Sequence, residues 1–147
     1  MASMPVKWFG LAMSAFANKE IDLLDDTIKV LLTTSAYTPN QDTHDYHNDV
    51  TNEVSGTGYT AGGQQLANDT ITYNAGTNVW KYDADDVTWT TVTLSDVKNA
   101  VIYDDTPATS AAKPLIGYGV IDSAVAPNAG NLVITWDANG ILTATAA

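Results

Sequence analysis

The sequence predicts an all-β domain, an antiparallel β-sandwich or partly open barrel of about eight short strands with one N-terminal helix. Three observations carry this expectation. Runs of β-branched and aromatic residues recur at near-even spacing, with Gly, Asn, Asp and Pro between them. Only one segment has helical spacing, whereas the crossovers of a parallel sheet need several helices. Finally, Asp86-Val-Thr-Trp-Thr-Thr-Val-Thr-Leu94 alternates Val87, Trp89 and Thr91 with Asp86, Thr88 and Thr90, then changes phase at Val92 and Leu94. With a side-chain period of two, that change predicts a bulge or a passage between sheets. The stretch reads as the central strand of the core.

The helix is expected over residues 5–17. Ser3 can cap it, Pro5 suits a first turn and Asn18 can take the left-handed position at its end. Trp8, Leu11, Ala12 and Ala15 form one apolar stripe, and Phe9, Met13 and Phe16 a second beside it. A helix apolar over most of its circumference is either sunk in its own core or shared with a partner. The same residues imitate a secretory signal ending in Ala-x-Ala. That apolar run is at the short limit and only one basic residue precedes it, which favours the helix.

Beyond an acidic turn at residues 22–26, the β-core is expected over 27–145. Residues 27–34 form a strand with Ile28, Val30 and Leu32 on one face. Residues 35–52 are polar and turn-rich, long enough to be a contact loop. Val54 fits a short strand, and Gly56, Gly58, Gly62 and Gly63 mark bends or bulges rather than a phosphate cradle. Hairpins are expected for 70–73 with 79–82, and for 132–136 with 141–145 across Asn139-Gly140. Strands at 100–103 and 115–121 lie between them. There is no internal repeat.

At 147 residues the chain reads as one domain, 1–147, able to bury roughly two-thirds of its unfolded surface. It has no cysteine, which excludes disulfides and thiolate metal sites. Six basic against seventeen acidic residues give a formal charge of −11. Nucleic acid and anionic membrane surfaces are poor partners for such a chain. No stretch approaches the roughly 20 apolar residues of a membrane span. The charge fits either a solvated acidic exterior or a protein that meets a basic surface.

Candidate chemistry is sparse. His44 and His47 lie among Asp42, Asp45 and Asp49, donor types that suit zinc, but on a loop and without a usual paired spacing. Asp83, Asp85 and Asp86 offer oxygen ligands for calcium, yet turn chemistry explains them equally. No cofactor is expected. No nucleophile elbow, Walker loop or dinucleotide fingerprint occurs, so an enzyme is the least expected class. Asn68-Asp-Thr70 is a glycosylation sequon, relevant only to a secreted chain. Trp80, Trp89 and Trp136 lie on predicted strands and read as core rather than as a sugar-stacking platform.

Several blocks resemble a group of small virion structural proteins of tailed bacteriophages. They are residues 21–39, Gly58-Tyr-Thr-Ala-Gly-Gly63, Asp83-Ala-Asp-Asp-Val-Thr-Trp89, Ala100-Val-Ile-Tyr-Asp-Asp-Thr106, Pro114-Leu-Ile-Gly-Tyr118 and residues 134–141. They run in order over most of the chain from about Val6 onward, and Leu94-Ser-Asp-Val-Lys98 departs from the pattern. The resemblance implies a part in virion assembly, in a particle made in the host bacterial cytoplasm, and carries over no catalytic residues. Combined with the greasy N-terminal segment, it leads to the expectation of a capsid decoration (cement) protein. The partners would be the major capsid protein or other virion subunits, with homo-oligomers on the particle. The expected anchors are Trp8, Phe9, Met13 and Phe16, with Tyr37 and Tyr46 on the contact loop. A tail or neck subunit and a glycan-binding host-recognition module are the alternatives.

Overall fold

The computed structural model describes residues 3–146. Its strands are β1 (Val6–Trp8), β2 (Ile28–Thr33), β3 (Gln64–Gln65), β4 (Thr70–Asn74), β5 (Val79–Asp83), β6 (Val87–Val92), β7 (Val97–Asp104), β8 (Leu115–Val125), β9 (Gly130–Ile134) and β10 (Leu142–Thr145). One short α-helix, α1 (Ala12–Ala17), accompanies them. Strand order is β1-β8-β7-β2-β3 in a five-stranded sheet, β10-β5-β4 in a second and β6-β9 in a third. All the strand pairs are antiparallel, and the fold is all-β and sandwich-like.

The large sheet is buried on both faces. Alternation in β2 sends Ile28, Val30 and Leu32 one way, where they join Ala100, Ile102 and Ile116. Tyr82 and Leu142 of the three-stranded sheet close over them, with Trp89, Leu132 and Ile134 of the two-stranded sheet. Leu31, Val101, Tyr103 and Leu115 point the other way and are covered by Phe9, Ala12 and Tyr37. Two-sided burial accounts for the nearly continuous apolar run of β7. The loop of residues 35–52 is therefore part of the packing. Buried Asn99 fastens it, its Nδ2 donating to Thr33 Oγ1 and to Tyr37 O, each at 3.0 Å.

The phase change in 86–94 is a bulge. Trp89 pairs with Leu132 but Val92 with Gly130, which leaves one extra residue on β6. Thr91 takes φ +55, strained for a β-branched residue, and its N–H donates to Asn131 Oδ1 at 3.2 Å. This strand is not central, however. It pairs only with β9, and β7 occupies the middle of the large sheet. A run of β-branched residues signals burial and pleat, not rank within a sheet.

Two other expectations are corrected. The helix over 5–17 shortens to α1, because Met4, Val6 and Trp8 alternate with exposed Pro5 and Lys7 and pair as a strand with β8. A Cβ on Gly119 would lie 2.2 Å from Met4 Sδ, so glycine there lets this segment lie close. The last hairpin does not form, since β9 pairs with β6 and β10 with β5. Residues 137–140 still turn, with Gly140 at φ +102, but they carry the chain from one sheet to another. The eight expected strands are all present, and β1 and β3 are additional. Gly63 admits β3, since at φ +75 its Cβ would fall 1.9 Å from Val30 O. Among the described residues no helix is long and apolar enough to cross a membrane.

Phe9 has no exposed surface and packs 4.8 Å, ring to ring, from Tyr118. Phe9→Ala is therefore expected to cost about 3–5 kcal/mol in urea denaturation. A loss under about 1 kcal/mol would contradict its place in the core.

Candidate functional site

The groove beside α1 is assembled from three elements. Trp8, at the end of β1, donates its indole N–H to Thr143 O at 3.1 Å, which ties its ring to β10. Phe16 of α1 meets that ring edge-on at 5.8 Å, and Trp80 of β5 lies tilted against it at 6.2 Å. Ala12 and Ala15 form the buried side of α1, which leaves Met13 outward with 47 % of its surface exposed. Trp8, Met13, Phe16 and Trp80 line a groove of about 190 Å³ with no polar surface in its lining.

The apolar surface continues along the three-stranded sheet. Tyr73 on β4 stands directly opposite Trp80, and Ile71 opposite Tyr82, so all four share one face. At one end that face is core, with Tyr82 and Leu142 buried. At the other it overhangs the core, with Tyr73 55 % and Ile71 39 % exposed.

Of the expected anchors, Trp8, Met13 and Phe16 converge on the groove. Phe9 does not. It is buried beneath α1 against the face of the large sheet that points away from the small sheets, and is unavailable to a partner. Tyr37 is likewise buried. Its hydroxyl pairs with His44 Nδ1 at 2.9 Å, and burial pushes its phenol well above the usual range. Tyr46 is half-buried and donates to Glu20 Oε2 at 2.9 Å, a bond that raises its pKa. Neither tyrosine lines the groove.

The weak metal candidates have separate partners. The His44 ring stacks on Tyr37, while the His47 ring lies 4.7 Å from Tyr103, where burial lowers its pKa. Asp83 pairs with Lys81 at 3.1 Å, and Asp85 accepts from Asn68 Nδ2 at 2.6 Å. Asp86 accepts from the Trp136 backbone N–H at 3.0 Å. Among the described residues no three His, Cys, Asp or Glu side chains gather to hold an ion.

The groove suits hydrocarbon and aromatic side chains. A sugar ring needs partners for its hydroxyls, and the one donor placed there by Trp8 is already committed to Thr143. Sequence reasoning missed Trp80, Tyr73 and Ile71. Trp80 read as core because alternation looks the same whether a face covers the core or extends past it. Comparisons with protein-family models, curated proteins and solved structures find no match for the chain.

One buried carboxyl lies elsewhere. Asp104, at the end of β7, has no exposed surface; its Oδ1 accepts from Thr106 N at 2.8 Å and its Oδ2 has no hydrogen-bond partner. Burial raises its pKa, the bonds from Thr106 act in the opposite direction, and the neighbouring Asp26 carboxyl adds a smaller upward push, so the net shift is upward. A raised folded pKa means that Asp104 supports the fold fully below the unfolded carboxylate pKa and loses that support as pH rises through the folded value. Asp104→Asn keeps the Thr106 bond and removes the titration. Thermal melts should show the variant more stable than the parent at about pH 7, with the difference shrinking toward about pH 3.5. A pH-independent difference would contradict this.

Proposed function

We propose that the chain is a structural protein of a tailed-bacteriophage virion, acting as a decoration (cement) protein on the head shell. The observation that carries the proposal is the groove of Trp8, Met13, Phe16 and Trp80, apolar and open on the surface of a chain with net charge −11. The resemblance of several sequence blocks to those of virion structural proteins points the same way. Acidic charge keeps the free protein soluble until a surface is offered.

Magnitudes favour a lattice over a lone partner. Fully burying a methionine contributes roughly 1.5–3 kcal/mol, and Met13, with 47 % of its surface exposed, gains about half of that. Association costs about 4–15 kcal/mol in lost freedom, so one small groove binds weakly. On a capsid, homo-oligomers or neighbouring copies engage repeated sites, and their weak contacts combine through high effective concentration. The groove would seat a protruding apolar side chain of the major capsid protein or another virion subunit.

Met13→Asp tests this, since Met13 is outward and its replacement leaves the core intact. The variant should melt like the parent, yet its occupancy in phage particles should fall at least about tenfold, the effect of roughly 1.4 kcal/mol. Normal occupancy would refute the groove as the docking site. Electron cryo-microscopy of parent particles should place the density on the head shell; density at the tail or neck, or none, would overturn the decoration role.

A further inference from the structure

We infer that the chain pairs with a second copy of itself through the outer edge of β4, joining two three-stranded sheets into one continuous sheet. β4 closes the β10-β5-β4 sheet, bonds to β5 alone and is exposed along its whole length. An open edge of unpaired N–H and C=O groups is a template for another strand, and proteins blunt such edges by shortness, charge, proline, bulges or cover. The other edges carry those devices. β3 is two residues long, and β1 follows Pro5 and carries Lys7. β6 is bulged, β9 runs on to a bond from Met4 N to Thr135 O at 2.7 Å, and Trp8 caps Thr143 O on β10. β4 has none of them.

The occupant follows from register and charge. An antiparallel pair of β4 strands centred on Thr72 sets Ile71 opposite the second copy's Tyr73, and Thr70 opposite its Asn74. Aromatic against β-branched is a favourable cross-strand pair. In a chain of net charge −11, residues 70–74 carry no charge, and Asp69 would face Ala75 rather than another acid. The strand is thus complementary to itself, as an isologous two-fold contact requires.

The two-fold axis of such a pair is perpendicular to the sheet, so Ile71 and Tyr73 of both copies stay on one side. That side also carries Trp80 and the groove. The dimer would present two grooves in the same direction and bind a repeating surface bivalently. This last step rests on the virion proposal; the pairing itself does not.

The test is light scattering coupled to size exclusion on the purified full chain, without particles. The parent should run at twice the chain mass at high concentration. A Lys pair, Ile71→Lys with Tyr73→Lys, and a Glu pair, Ile71→Glu with Tyr73→Glu, should each be monomeric with unchanged circular dichroism. In equal mixture they should recover the dimer, because every Lys then faces a Glu. A monomeric parent, a ring or longer assembly, variants that stay dimeric, or a mixture that stays monomeric would each overturn the inference. A dimer whose Met13→Asp variant still enters particles would sink the virion groove and leave the β4 pairing standing.

Discussion

Burial of the β2–β7–β8 ladder on both faces is the constraint on which the structure depends. A sheet with Leu31 and Val101 on one side and Val30 and Ile102 on the other needs two apolar covers. The small sheets provide one. Phe9, α1 and the residue 35–52 loop provide the other, and Asn99 ties that loop to the sheet through groups that would otherwise be buried without partners. With no disulfide available, this layered packing is what holds the chain.

The same arrangement creates the exposed apolar face and its groove. The three-stranded sheet is longer than the core it covers, so one face begins as core at Tyr82 and Leu142 and ends exposed at Ile71 and Tyr73. Trp8 bridges the layers. Its backbone extends the large sheet through Gly117, while its indole reaches the small one at Thr143. The groove is therefore held by elements that the fold already needs, which makes it a rigid seat rather than a loop that must order on binding.

How much of this was legible in the sequence depends on how local each signal is. The bulge in β6 was, because a period of two breaks visibly at Val92. The β4–β5 hairpin was, because its turn and both strands are contiguous. β1 was not: Met4, Val6 and Trp8 alternate, but the apolar residues that follow gave helical spacing to the whole segment. The partners of β9 and β10 were not, because Asn139-Gly140 specifies a reversal and says nothing about which strands pair. Phe9 and Met13 sit on the same apolar stripe, and only the pairing of β1 with β8 sends one inward and leaves the other out. Trp80 needed knowledge of where the core stops.

Native-state hydrogen exchange on the backbone amides tests the two-sided burial most directly. The amides of Leu31, Val101 and Ile102 are expected in the slowest set, exchanging only through global unfolding. Exchange of those amides by local opening, while the amides of β5 and β10 stay protected, would contradict the central place given to the large sheet.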